Sequence, residues 1–274
     1  MTAFFSRQET FERVGSTNDV VRAWLDAGTP EVCLAVADEQ SAGRGRSGRS
    51  WVAPAGAALL LSLGFRPTWI EPERAWRIIA TASLAMADAA EAVAGLPDGI
   101  IRLKWPNDLV VVLDGDGPRK LAGVLGETQG MGTDGPQLVV GLGVNADWRV
   151  EDYPPEFAGS MTSLREAASE GAAGGRPVDV RQLREAFATR LVGGIEGLRA
   201  GRFDGAAWVA RQLTTGRTIR LEHGDHAETA QAVGVDTETG ALRIADPTAP
   251  SGERRVLVGE ISHVRIADPA SVGV

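Results

Sequence analysis

Cysteine is almost missing from this chain. Its 274 residues hold a single one, Cys33, in the apolar run EVCLAVA. An internal disulfide framework and a cysteine-based zinc site are therefore excluded, and the thiol reads as a small buried hydrophobe. Histidine is nearly as scarce: His223, His226 and His263 all fall in the C-terminal segment, and HGDH reads as a surface turn with no further metal ligands nearby. Long apolar runs are missing too. Nothing approaches about 18 residues, and MTAFFSRQETFERVG lacks the apolar stretch of a signal peptide, so a cytoplasmic protein is expected. Basic charge is in deficit, with 28 Lys and Arg against 36 Asp and Glu and a net charge of −8. That balance argues against a general nucleic-acid surface.

What is present fits an ordinary globular chain, 43% hydrophobic and 23% charged, with no fixed-period repeat. Strand and helix signals alternate. TFERVG reads as a strand running into the helix STNDVVRAWLDAG, which Gly28 stops. VCLAVADEQ (32–40) and AALLLSLGF (57–65) read as strands on either side of a glycine–arginine loop. A long helix spans Glu71 to Ala94, with Trp76, Ile79, Ala80, Leu84, Ala87 and Val93 facing the core and Pro72 near its start. IIRLKW, LVVVL, KLAGVLGET and PQLVVGLGVN are four more strand-like runs, separated by turns such as DGDGPR and GMGTDG. DYPPEFAGS breaks the pattern and 170–177 reads as a flexible loop. A second long helix follows at 179–201, and a shorter one runs through Trp208. Beyond Thr214 short β segments suit a small barrel. The expected fold is thus α+β: a mixed sheet of about six strands packed with helices over 1–213, then a small five-stranded barrel over 214–274.

The loop SAGRGRSGRSW (41–51) places Arg44, Arg46 and Arg49 among Gly43, Gly45 and Gly48. Formally this is G-x-G-x-x-G after a strand. A dinucleotide turn must open a helix, however, and Pro54 and Gly56 fall in what would be its first turns. The loop is instead a flexible set of guanidinium forks suited to phosphate or carboxylate oxygens, or else a solvated basic loop. Left alone it should be mobile, ordered by a polyanion. In RLKWPNDLVVV, Lys104 ends a strand ahead of a Trp105-Pro106 turn. It is either a compact cation aimed into a strand-end crevice or a surface lysine beside a tryptophan. Together the two motifs would screen a carboxylate and a nucleoside triphosphate from each other.

GSTN (15–18), DEQSAGRGRSGRSW (38–51), LKWPNDL (103–109), KLAGVLGE (120–127) and VVGLGVN (139–145), in this order, resemble the catalytic domain of biotin protein ligases, a class II synthetase-like fold. AVGVDTETGALRI resembles their SH3-like domain more loosely. The resemblance implies a ligase that adenylates biotin with ATP and Mg²⁺ and passes biotin to a lysine of a biotin carboxyl carrier domain of an acyl-CoA carboxylase. It implies Arg46 and Lys104 as the catalytic cations, with Arg44 beside them in the anion loop and Gly43 and Gly45 giving it its shape. Ser16, Thr17 and Gln40 would hold the ureido ring, with Asn18 beside them; capping is the other reading for Ser16 and Thr17. Trp51 would cover adenine or simply join the core. Gly123, Gly141 and Gly143 would approach the valeryl chain or mark bulges, and Asn145 would lie near the nucleotide. Metal ligands are not legible, and Asp98 is left without a role.

Ser47 stands where some relatives carry another basic residue. The chain begins about fifteen residues before GSTN, which leaves no room for a winged-helix DNA-binding domain, so no repressor role is expected. Relatives pair sheets edge to edge, which makes a homodimer an expectation as well. Three other readings stay open: a lipoate or octanoate ligase or transferase, a non-catalytic biotin or nucleotide sensor, and a nucleic-acid module. The last is disfavoured by the lack of aromatics between the arginines.

Overall fold

A computed structural model describes residues 4–112, 117–129, 135–170, 177–223, 226–260 and 263–266. The turn DGDGPR, the turn GMGTDG, the 170–177 loop and the HGDH turn fall wholly or partly outside those residues. Seven strands, one more than the sequence count, form the first sheet: β1 (Arg7–Val14), β2 (Cys33–Gln40), β3 (Ala58–Phe65), β4 (Ile101–Lys104), β5 (Asp108–Val112), β6 (Pro118–Gln129) and β7 (Gln137–Asn145). Their order is β1-β2-β3-β7-β6-β5-β4. β1 and β2 are parallel and every other pair is antiparallel.

The strand pleat sorts β3 between two faces. Leu59, Leu61, Leu63 and Phe65 enter the main core beneath α2 (Trp76–Ala94) and α4 (Val180–Arg199). On the opposite face lies α1 (Thr17–Asp26), where Val21, Trp24 and Leu25 pack on Cys33 and Ala35. Gly64 permits this approach, since a Cβ there would stand 2.6 Å from Cys33 Sγ and 2.7 Å from Val21 Cγ1. Burial pushes the Cys33 thiol up to about 11, in keeping with an inert thiol.

Helix α2 begins at Trp76, not Glu71; Pro72 sits in a separate 3₁₀ turn. Its most deeply buried residues are Ile78, Ala82, Met86, Ala87, Ala89 and Ala90, whereas Trp76, Ile79, Leu84 and Val93 are only partly buried. The alanines let α4 lie close, so the apolar stripe is wider than the large side chains alone indicated. Asp179 caps α4 by accepting from the Arg181 and Gln182 amides. Two short helices, α3 (Leu164–Glu170) and α5 (Gly205–Ala210), complete the layer; α3 had been missed, being barely two turns long.

A second sheet of five antiparallel strands follows: β8 (Thr218–His223), β9 (His226–Val235), β10 (Leu242–Ala245), β11 (Glu253–Val256) and β12 (His263–Ile266), ordered β11-β10-β9-β8-β12. Before it, residues 211–214 run along the outer side of β4. Leu103 N–H donates to Arg211 O and Leu213 N–H to Leu103 O, both at 2.8 Å. An otherwise open sheet edge is thereby covered. No helix among the described residues is long and apolar enough to cross a membrane.

Candidate active site

One cavity of about 950 Å³ opens on the α1 face of the first sheet. It draws Ser16, Thr17, Asn18, Gln40, Arg44, Gly45, Arg46, Trp51, Lys104, Gly123, Gly141, Gly143 and Asn145 into a single lining. Gly43 lies just behind: a Cβ there would meet Trp51 O at 2.5 Å. Residues far apart in sequence thus share one chamber.

Its two ends differ in chemistry. At one end α1 starts against β3, and Ser16, Thr17, Asn18 and Ser62 are all buried. Ser16 stands at the N-cap position, but its hydroxyl makes no capping bond. Gln40 Oε1 accepts from Thr17 N–H at 2.7 Å, which leaves the Gln40 amide N–H groups as donors. This end is neutral, polar and enclosed.

The other end is cationic. Lys104 closes β4, and the tight connection Trp105–Asn107, with a cis Trp105–Pro106 bond, returns the chain to Asp108 on β5. Asp108 Oδ2 lies 3.7 Å from Lys104 Nζ and its Oδ1 2.7 Å from Lys120 Nζ. Burial holds Lys104 below the usual lysine value, and the neighbouring Lys120 and Arg49 act in the same sense against Asp108. Burial also lowers Arg46, whose guanidinium reaches Asn107 Oδ1 at 3.5 Å and donates to Val258 O at 3.0 Å. The 3₁₀ turn between β11 and β12 therefore touches the anion loop directly, and Val264 and Arg265 of β12 join the cavity wall.

The sequence motifs do not mark Lys120 or Asp108 as site residues. Both stand inside quoted motifs, but a bulge between Leu109 and Val110 sets the β5–β6 register that brings them together.

The anion loop is folded on itself and onto the protein's own acids. Gly45 N–H donates to Arg49 O and Trp51 N–H to Gly43 O, and Ser47 takes φ 56° in a 3₁₀ turn at Arg46–Gly48. Arg44 is held in a two-pronged pair with Asp19, both contacts 2.7 Å, and lies 3.7 Å from Glu127. Arg22 bridges the same carboxylates, to Asp19 and to Glu127 at 2.7 Å each. Hydrogen bonding from Arg44 leads the influences that hold the Asp19 carboxyl below its ordinary value. Two cations and two anions balance here, so Arg44 anchors the loop's stem while Arg46 and Lys104 face the open space. Trp51 rests flat on the sheet: added Cβ atoms at Gly143 and Gly123 would meet its ring at 2.5 and 3.2 Å. Gly141 makes room for Asn18 in the same way, at 2.3 Å. The glycines thus admit side chains of the site itself. Asn145 Nδ2 donates to Thr162 O, while its Oδ1 is buried without a partner.

Such a chamber, neutral and polar at one end and ringed by cations at the other, defines a class: a domain that binds an elongated small molecule with anionic groups. The model of the biotin/lipoate A/B protein ligase family matches residues 10–145. The biotin–[acetyl-CoA-carboxylase] ligase of Mycobacterium tuberculosis is 36% identical over 213 residues, 77% of this chain and 72% of its own. The chain belongs to this family. The bifunctional ligase/repressor BirA of Bacillus spizizenii is 32% identical over 157 residues, 57% of this chain, and the match spans 46% of that longer protein. In structure, the Aquifex aeolicus biotin protein ligase in complex with biotin and ATP superposes with a TM-score of 0.75 at 25% identity, covering 96% of this chain and all of that one.

Proposed function

We propose that this protein is a biotin–[biotin carboxyl carrier protein] ligase. The observation that carries the reading is the two-ended cavity: donors and acceptors for a neutral ring at one end, Arg46, Lys104 and Lys120 at the other, within one lining. A biotin carboxylate oxygen attacks the α-phosphorus of ATP, the bond to pyrophosphate breaks, and biotinyl-5′-AMP forms. A carrier lysine, as the free amine, then attacks the acyl carbon, AMP leaves and the amine nitrogen gives up its proton. Neither step needs a nucleophile from the protein. The first needs the mutual repulsion of two anions cancelled and the reacting atoms aligned, which is the task we assign to Arg46 and Lys104.

Ser16, Thr17 and Gln40 are assigned to the ureido ring, with Asn18 behind them. Trp51, lying over Gly123 and Gly143, is assigned to cover the adenine, Gly141 makes room for Asn18, and Asn145 would lie near the nucleotide. Mg²⁺ would arrive on the phosphates. Asp108 is a carboxylate paired with both Lys104 and Lys120, and no cluster of three or more His, Cys, Asp or Glu suited to a metal occurs among the described residues. We further propose a catalytic unit over 1–213 and an SH3-like unit over 214–274, a cytoplasmic location where ATP is supplied, a carrier domain of an acyl-CoA carboxylase as acceptor, and a homodimer formed through the β1 edge.

The test is ATP–pyrophosphate exchange with and without biotin, followed by transfer to a carrier domain read as a mass increase. Exchange that requires biotin, and that falls by about 10²–10³ in Arg46→Ala and Lys104→Ala, is expected from the loss of one preorganised cationic contact. Exchange driven by lipoate in place of biotin would refute the assignment.

A further inference from the structure

The enclosed end of the cavity contains a chain of hydrogen bonds whose direction can be read from its outer terminus. Glu127 Oε2, on β6, receives Arg22 Nη2 at 2.7 Å and Asn18 Nδ2 at 2.8 Å. A carboxylate bound to a guanidinium only accepts, so the Asn18 amide is fixed with Nδ2 toward Glu127 and Oδ1 inward. Asn18 Oδ1 lies 2.5 Å from Ser62 Oγ and likewise only accepts, so the single Ser62 proton points at it. Ser62 Oγ then has lone pairs alone for its other neighbour, Thr17 Oγ1, at 2.6 Å. Two oxygens that close require a proton between them, and it has to come from Thr17. Two hydroxyl protons cannot serve three oxygen–oxygen contacts, and the one left without is the longest, Thr17 Oγ1 to Gln40 Oε1 at 3.0 Å, where Gln40 Oε1 already accepts from Thr17 N–H. With its proton committed to Ser62, Thr17 turns only lone pairs to the cavity it lines.

We infer that Glu127, acting through Asn18 and Ser62, is a positioning residue that makes Thr17 an obligate acceptor and thereby selects a ligand whose ring carries an N–H at that point. The inference rests on the biotin reading, in which that group is a ureido N–H. Ser62 is wholly buried and Asn18 and Thr17 nearly so, so no water intervenes to reverse the relay. An apposed ring oxygen would bring two acceptors together, the kind of mismatch a polar site rejects strongly.

The experiment is equilibrium binding, by calorimetry, of biotin and of the two cyclic carbamates in which one or the other ring N–H is replaced by oxygen. The folded wild type, Glu127→Leu, which removes the acceptor that fixes the Asn18 amide, and Ser62→Ala proteins are compared. The wild type is expected to prefer biotin over one of the two carbamates by at least about 100-fold. In both variants Thr17 regains a free proton, and the preference should fall to within about tenfold. Ser62→Ala leaves the Arg22–Asp19–Arg44–Glu127 cluster intact, so loss of selectivity there cannot come from disturbing those charges. A wild-type protein that prefers biotin, with both folded variants keeping the same ratio, overturns the relay and leaves the ligase reading standing. A wild-type protein that binds neither biotin nor its analogues overturns the ligase reading, and the relay with it.

Discussion

Lys104 shows what a single residue reveals and what its surroundings add. A lysine at the end of a strand could be picked out by type and place, and so could the arginines of the loop, whereas Gln40 came only with the family resemblance. The anchoring of Arg44 could not, because its partner Asp19 lies 25 residues away in the chain and the contact exists only once α1 has folded over β3. Glu127 was hidden for the same reason: a carboxylate after a glycine carries no sign that it steers an asparagine across the sheet. The depressed Lys104 value has a functional consequence. Activity that needs the ammonium form should decline as pH rises through a point below the 10.5 of an unperturbed lysine, and Lys104→Arg should move that alkaline limb upward. The pH profile of biotin-dependent exchange reads both. The stability sign is opposite to that of an ion-paired lysine. Between the folded and unfolded values the unfolded chain binds more protons, so stability rises with pH across that window; denaturant midpoints measured against pH should show it.

Among elements, the strands were legible because their apolar runs are bounded by turn residues, and α1 and α4 because their periodicity is strong. α3 was not, and the start of α2 moved because Pro72 serves a 3₁₀ turn. Least legible was the 211–214 segment, whose role is to cover β4 and which has no periodicity of its own. Thr214 Oγ1 accepts from the buried Trp105 N–H at 3.0 Å. Thr214→Val keeps the shape and removes the acceptor, so the orphaned amide should cost about 1–3 kcal/mol, seen as a lower denaturation midpoint. On the same logic Gly143→Ala, whose Cβ would meet Trp51 at 2.5 Å, should cost about 1–3 kcal/mol through overpacking. It should also perturb tryptophan emission.

For the whole molecule, the two sheets are joined by more than the chain between them. Trp105 Nε1 donates to Gly240 O at 3.0 Å, Trp76 Nε1 to Glu238 O at 3.2 Å and Arg77 Nη2 to Thr237 O at 2.9 Å. Trp76, Phe203 and Trp208 form an aromatic wall beneath that turn. Calorimetry should therefore show one cooperative thermal transition, and Arg77→Ala should broaden or split it; two resolved transitions in the unaltered protein would count against the coupling. The sequence boundary near 213 marks a change of texture that the hydrogen bonds run straight across. Asp108 has a meaning at this scale as well. Seated between Lys104 and Lys120, it is a tenant holding the place of a guest: the folded protein never has to shelter two naked ammonium groups. A phosphate bound there would meet two ammonium groups that Asp108 already holds in place.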